Sequence, residues 1–144
     1  MPSDVFVVVY DKIRKREGEM LAAVVLYESG KEMGARIARN SYERVLSPEE
    51  AVREIPKILG WIGIEALQRG NEIYLIDAIG IATSDEEGVC HFERGLVAGI
   101  MSGLTRAPWE GTAKIEEDGC IIKLRLGGLS EEEAIKFERV RSGV

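Results

Sequence analysis

The sequence has few of the residues that most often carry catalysis or metal binding. Among 144 residues there are one histidine and two cysteines. Two cysteines are too few for a disulfide-stapled secreted scaffold, although they can form one bridge or share a metal. The 19 basic residues are outnumbered by 25 acidic ones, and no basic run is interleaved with aromatics. This charge balance argues against nucleic acid as a partner.

Long apolar runs and targeting signals are also missing. The longest apolar run, residues 20–27, is far shorter than the ~18–20 residues that a transmembrane helix needs. The N-terminal segment has an acid where a secretion signal has basic residues, and no small-residue cleavage site follows it. We therefore expect a cytoplasmic protein without a membrane span. Glutamine occurs once and asparagine twice beside plentiful glutamate, lysine and arginine, which is typical of a thermophilic source.

Helix signals recur along the chain. Apolar periodicity and good helix formers predict helices over residues 17–39, 48–59, 89–104 and 130–141. The second of these has the strongest start signal: Ser47 as N-cap, Pro48 at the first helical position, and Glu50 to complete a capping box.

Strand signals separate these helices. Turn residues between apolar runs predict two β-hairpins, with strands over residues 61–67 and 72–76, then 113–115 and 120–126. The second strand is expected to continue through residues 78–83. Residues 5–10 are β-branched and aromatic, which predicts a strand or an extended arm. Separate runs of helices and hairpins indicate a single α+β domain over residues 1–144, an antiparallel sheet packed against long helices.

One predicted helix contains several glycines, a residue type with low helix propensity. Glycine recurs every fourth residue inside helix 89–104, at Gly95, Gly99 and Gly103. Each costs about 1 kcal/mol relative to alanine, so the close approach of some neighbour must compensate. Gly30 and Gly34 give helix 17–39 a similar notch. The neighbour is either another helix, packed backbone to backbone, or a ligand whose pocket has the bare backbone as its wall.

Three segments resemble successive signatures of the 4-vinyl reductase domain family: LYESGKEMG at 26–34, LGWIG at 59–63 and VCHFERGLVAGIMS at 89–102. The resemblance covers residues 21–126. It implies a small-molecule-binding domain related in fold to the haem-based nitric-oxide sensing domain and to vesicle-tethering TRAPP subunits. It also implies a homodimer.

The resemblance and the helical wheel together predict a domain that binds a small apolar or aromatic molecule without catalysis. Its candidate ligand-binding residues are Tyr27, Trp61, Phe92, Leu96, Gly99, Ile100 and Trp109. Two alternatives stay open: a 4-vinyl-reductase-like enzyme or accessory protein of tetrapyrrole metabolism, and a structural dimerising subunit without a ligand. The sequence contains no dinucleotide fingerprint and no poised nucleophile–base pair, so we expect no catalytic residues.

The resemblance also raises a zinc site, because some family members bind zinc through a helix cysteine, a Glu-x-x-Cys and a final cysteine after a Gly-Asp turn. Cys90 and Cys120 match the outer two thiols, and no third cysteine exists. Glu116, with His91 or Asp118, would have to complete the four ligands that zinc prefers. The sequence alone favours free thiols or one bridge, and we predict no cofactor.

Three ionisable residues receive structural interpretations. His91 projects to the polar side of its helix and is expected at the surface. Glu93 projects between Ile100 and Leu104, and we interpret it as a first-turn carboxylate that accepts hydrogen bonds from free helix amides. Asp77, inside an apolar strand, either faces water or is hydrogen-bonded at a site.

Overall fold

The structure, a computed structural model, describes residues 3–76, 90–116 and 119–127. The described residues form four helices and four strands, in the order α1 (Ser3–Glu17), α2 (Glu19–Ser41), α3 (Pro48–Trp61), β1 (Ala66–Arg69), β2 (Glu72–Ile76), α4 (His91–Thr105), β3 (Trp109–Glu116) and β4 (Gly119–Leu126). Within them, no helix has the length and apolar character needed to cross a membrane.

The four strands form one antiparallel sheet in the order β1-β2-β4-β3. Two hairpins supply the outer pairs, and β2 joins β4 at the centre, where Leu75 lies opposite Cys120. Helix α4 contacts β3 and β4, while α3 contacts β1 and β2. The core lies between these helices and the sheet, where Ile58, Leu96, Ile73 and Ile122 are fully buried. The predicted α+β class is thereby confirmed.

The strongest local signals are confirmed. At the start of α3 the Ser47 hydroxyl accepts a hydrogen bond from the Glu50 amide at 3.2 Å, and the Glu50 carboxylate accepts one from the Ser47 amide at 3.3 Å. Both predicted hairpins form. In the first, Gly70 occupies the turn with a φ of 60°, a conformation that glycine adopts without strain.

The prediction of a strand over residues 5–10 is wrong, because these residues belong to α1. β-branched residues lose only a few tenths of a kcal/mol in a helix, so packing can override their preference. The second half of α1 is rich in helix formers, α1 contacts α2, and Ile13 packs against the core. The helix favoured by the second half of α1 therefore extends back through residues 5–10, despite their preference for a strand.

The predicted first strand also begins too early. Helix α3 extends through Trp61, and Gly63, with a φ of 83°, turns the chain before β1 begins at Ala66. An apolar run at the end of a helix resembles a strand in sequence. The predicted strand extension over 78–83, the helix over 130–141 and Asp77 lie outside the described residues.

The neighbour that the glycines require is another helix. Helices α2 and α4 run parallel and meet backbone to backbone: Gly95 lies on Tyr27, Gly99 on Lys31, and Gly103 between Ala35 and Ala38. We call this contact the glycine seam.

The seam is reciprocal, because glycines of α2 meet the backbone of α4. A Cβ atom on Gly34 would lie 2.8 Å from the Ile100 amide nitrogen, and one on Gly30 would lie 2.9 Å from the Leu96 amide nitrogen. Both distances are too short for a real Cβ atom. Only residues without side chains permit this approach, and dispersion attraction between the two closely packed backbones offsets the lost helix propensity. The glycines therefore allow close helix packing, which was the first of the two interpretations.

We predict that Gly99→Ala destabilises the protein. Its Cβ would lie 2.7 Å from the Lys31 carbonyl carbon and closer still to the carbonyl oxygen. Because backbone cannot rotate away as a flexible side chain can, the cost should reach the upper part of the overpacking range, about 3 kcal/mol. Urea denaturation followed by circular dichroism measures it.

Gly60→Ala is the matched control. Gly60 lies within α3, and a Cβ there would meet nothing within 4 Å. This substitution should leave stability unchanged or raise it by up to about 1 kcal/mol, through helix propensity alone. Equal effects at the two positions would contradict the glycine seam.

Candidate functional site

The inward face of α4 supplies the apolar side chains that the sequence proposed for a ligand site. Phe92, Leu96 and Ile100 are at most 2% exposed, and Trp109 at the start of β3 is 4% exposed. The Trp109 indole donates a hydrogen bond to the Thr105 hydroxyl at 2.9 Å, which fixes the ring against the end of α4. All four side chains therefore belong to the buried core of the domain.

Tyr27 links α2 to β3, which is one of the two edge strands of the described sheet. Its hydroxyl donates to the Glu110 carboxylate and accepts from the Gly111 amide at 3.0 Å. Lys31 lies one helical turn further along α2 and donates to the other Glu110 oxygen at 2.6 Å. The Arg94 guanidinium, from α4, stacks over the Tyr27 ring 4.0 Å from its centroid. Tyr27 thus holds three elements together.

These contacts shift the pKa values of Tyr27 and Glu110. Burial, followed by the hydrogen bond to Glu110, raises the pKa of Tyr27 to about 12. Burial opposes ionisation of Glu110, but the hydrogen bonds from Lys31 and Tyr27 outweigh it and lower the pKa of that carboxyl. At neutral pH the tyrosine is protonated and the glutamate is charged, so the hydroxyl donates into an ionised acceptor.

Two other predicted ligand-binding residues, Trp61 and Gly99, do not join the buried side chains of Phe92, Leu96 and Ile100. The Trp61 side chain is 53% exposed and stacks on Tyr42, with ring centroids 6.3 Å apart. Gly99 belongs to the glycine seam and also borders an open groove of about 600 Å³ on the outer side of α2 and α4. The groove combines basic, acidic and hydroxyl side chains, among them Arg39, Glu32 and Ser102. It is not the apolar cavity that the sequence predicted.

Glu93 departs most from its sequence interpretation. It is 1% exposed, and within the part of the chain that the structure describes neither carboxylate oxygen has a hydrogen-bond partner. Burial outweighs the interaction of the carboxylate with its own backbone amide at the helix start, so the first-turn amides do not compensate this side chain as expected. Burial raises the pKa of Glu93 to about 7, far above the ordinary value for glutamate. Its position among apolar residues on the helical wheel was the signal that could have identified it.

Beside Glu93 lie both cysteines. Cys90 is the N-cap of α4 and Cys120 lies on the inner face of β4; they are paired as a disulfide with Cα atoms 6.8 Å apart. The thiol sulfurs and a Glu93 oxygen all lie within 4.8 Å of one another, and all three residues are buried. We call this group the thiol–carboxylate cluster.

The structure does not bring Glu116 or His91 into this cluster. Glu116 is opposite Gly119 in the β3–β4 ladder, so strand alternation points its side chain to the other face from Cys120. It is exposed and lies 4.0 Å from Arg69. His91 is half-buried rather than fully at the surface, and its Nδ1 lies 3.3 Å from a guanidinium nitrogen of Arg94. Burial, followed by the positive charge of Arg94, lowers the pKa of His91. Asp118 lies outside the described residues.

We predict that the stability of the protein falls as pH rises from about 10 to about 12. An unfolded tyrosine titrates near pH 10, whereas the pKa of folded Tyr27 is raised to about 12. Within this window the unfolded chain loses a proton that the folded chain retains, so each step up in pH favours unfolding. Tyr27→Phe should flatten this slope. It should also cost about 1–3 kcal/mol at neutral pH, because the buried Gly111 amide loses its acceptor.

Tyr42→Phe is the comparison for this measurement. Burial and a hydrogen bond to Glu54 raise the pKa of Tyr42 to about 12 as well, but its hydroxyl accepts no backbone amide among the described residues. Its neutral-pH cost should be smaller. Urea midpoints measured across the pH range test both variants; a Tyr27→Phe curve parallel to that of the wild type would refute the assignment.

Comparisons with known proteins agree with this architecture. No family model matches the sequence, and no curated protein matches it. Among solved structures, the phenol-responsive sensory domain of the transcription activator PoxR, crystallised with phenol, has a TM-score of 0.68 at 13% identity, covering 95% of this chain and 80% of that one. A vinyl-4-reductase family protein from Methanocaldococcus jannaschii has a TM-score of 0.56 at 20% identity, covering 88% and 82%. The predicted resemblance to the 4-vinyl reductase domain is thus confirmed at the level of the fold.

Proposed function

We propose that this protein is a non-catalytic domain that binds a small apolar or aromatic molecule between α4 and the sheet. The observation that carries the proposal is the fold, which over 95% of the chain is that of a domain described as phenol-responsive and crystallised with phenol. The non-catalytic part comes from the sequence, in which no nucleophile–base pair and no nucleotide fingerprint occur. Homodimerisation, implied by the family resemblance, is part of the same proposal.

The chemistry of α4 supports this location. Small-molecule sites are lined mainly by aromatic and aliphatic side chains with a few polar groups. The inward face of α4 offers Phe92, Leu96 and Ile100, and Trp109 adds an indole whose polar edge is already satisfied by Thr105. The glycine seam runs along the backbone of the same helix, where Gly30 and Gly34 meet Phe92, Leu96 and Ile100, so a ligand here would lie beside the α2–α4 contact.

We expect phenol or an alkylbenzene to change the fluorescence of Trp109 and not that of Trp61. The protein has two tryptophans, one buried in the proposed site and one exposed at the end of α3. Trp61→Phe therefore leaves a single reporter inside the site, and its emission should shift saturably as phenol, toluene or naphthalene is titrated. Calorimetry on the same samples gives the stoichiometry.

Trp109→Phe is the matched control, because it leaves only the surface tryptophan. Its emission should stay unchanged over the same titrations. If both single-tryptophan proteins respond equally, the molecules bind non-specifically. If the Trp61→Phe protein shows neither a fluorescence change nor binding heat with any of the three compounds, the proposed function is wrong and a structural subunit without a ligand is favoured.

A further inference from the structure

The two halves of β3 differ in how their free edge is covered. In the described sheet β3 pairs only with β4, so alternate residues point their backbone N–H and C=O groups away from the sheet. At Gly111 both groups are satisfied: the amide donates to the Tyr27 hydroxyl at 3.0 Å, and the carbonyl accepts from Arg94 at 3.2 Å. At Trp109 the amide donates to the Ser102 hydroxyl at 2.9 Å. Side chains of α2 and α4 therefore cap the first half of the edge.

The second half of the same edge has no such cap. Outward and inward residues alternate along an antiparallel ladder, so Ala113 and Ile115 point outward as Gly111 does. Lys114 lies between them and directs its backbone groups to β4. Within the described residues, no hydrogen bond reaches Ala113 or Ile115 from the outer side, and the Ile115 side chain is 45% exposed. We call residues 113–116 the open edge, which is a template for pairing with another strand.

Exposed apolar side chains of α2 continue the open edge. The contacts of Lys31 with Glu110, and of Tyr27 with the residue that follows Glu110, show that α2 runs antiparallel to β3. The two turns of α2 before Tyr27 carry Val24 and Met20 on the same face of the helix, and these side chains are 49% and 84% exposed. The antiparallel direction places them toward the open edge. Together with the exposed isoleucine they form an apolar surface beside a row of unpaired backbone groups.

The charges on the open edge fit a second copy of the same strand. Two copies of an edge strand related by a two-fold axis pair antiparallel, and residues equally far from the axis lie opposite each other. With the axis at Ile115, this isoleucine lies opposite its own copy, and Lys114 lies opposite Glu116 of the second copy on the outer face of the sheet. The symmetry forms this ion pair twice. With the axis at Lys114, two lysines would lie opposite each other, and like charges in that position are unfavourable.

We propose that the chain forms a two-fold symmetric dimer in which the open edges of two copies pair antiparallel, with Ile115 opposite Ile115 and Lys114 opposite Glu116. The inference rests on the homodimer of the proposed function and assigns its surface, which the family resemblance leaves unspecified. The pairing joins the two four-stranded sheets into one. Met20 and Val24 add apolar area beside the ladder, because a few strand hydrogen bonds alone bury less surface than a stable dimer needs.

Hydrogen exchange of the wild-type chain tests the pairing without any substitution. NMR gives the exchange rate of each backbone amide at low and at high protein concentration, and sedimentation identifies monomer and dimer in the same samples. The Ile115 amide should exchange fast in the monomer and at least about tenfold more slowly in the dimer, where it gains a hydrogen bond between chains. The Lys114 amide is the internal control, because its bond to β4 protects it in both states.

Two outcomes of this experiment would overturn the proposal. The first is a chain that stays monomeric at every concentration. The second is a dimer in which the Ile115 amide exchanges as fast as in the monomer, since the copies would then meet through another surface.

A pair of charge reversals tests the register. Lys114→Glu places glutamate opposite glutamate in both symmetric pairs, and Glu116→Lys places lysine opposite lysine. Each variant alone should dimerise at least about tenfold more weakly than the wild type. An equimolar mixture of the two should form a heterodimer with about the affinity of the wild type, because each glutamate of one chain then lies opposite a lysine of the other.

Lys57→Glu is the matched control, because it makes the same change of charge at an exposed position of α3, away from the open edge. It should dimerise like the wild type. If both reversals at the open edge match this control and their mixture gains nothing, the assigned surface is wrong, while the homodimer of the proposed function stands. If all the proteins are monomers, the homodimer fails as well. The binding of aromatic molecules is measured separately by the fluorescence of Trp109, so its outcome is independent of both.

Discussion

The structure depends on the contact between two helix backbones along the glycine seam. Helices α2 and α4 are far apart in sequence and parallel in space, and they approach so closely that a single added methyl group at Gly99 would overlap Lys31. Helix α4 also contacts α3 and β3, and its side chains Phe92, Leu96 and Ile100 are buried in the core. The same placement brings Cys90, at the start of α4, against Cys120 on β4.

The ionisable groups around α4 lie in two contrasting environments. On the side of α2 and the sheet edge, Tyr27, Lys31 and Glu110 satisfy one another, and Arg94 covers the tyrosine ring, so that cluster is explained by the contacts it makes. On the inner side, Glu93 is buried without a partner among the described residues. The two clusters therefore differ in that the contacts of the described residues explain Tyr27 but not Glu93.

Much of the fold could be predicted, and the candidate site only in part. Helix and hairpin positions were correct where local chemistry is specific, as at the capping box of Ser47, and wrong where an apolar run suits either state, as at residues 5–10. Four of the proposed ligand-site residues converge in the core, whereas Trp61 lies on the surface. For the two thiols the sequence left free thiols, one bridge and a shared metal open, and it did not identify Glu93 as their neighbour. That Glu116 faces away from the sulfurs depends on the strand register, which no local pattern specifies.

Local patterns were enough to predict the α+β class, most helix and strand positions, a bare edge on α4 and the pair of thiols that can meet. Capping, turn chemistry and periodicity act over a few residues, so they can be recognised without knowing the fold. Three further features required the folded chain: what touches that edge, which face of β4 carries Cys120, and that Glu93 lies beside the sulfurs rather than on the helix amides. These are contacts between segments distant in sequence, and they depend on how helices and sheet pack as a whole, which periodicity within one element does not encode.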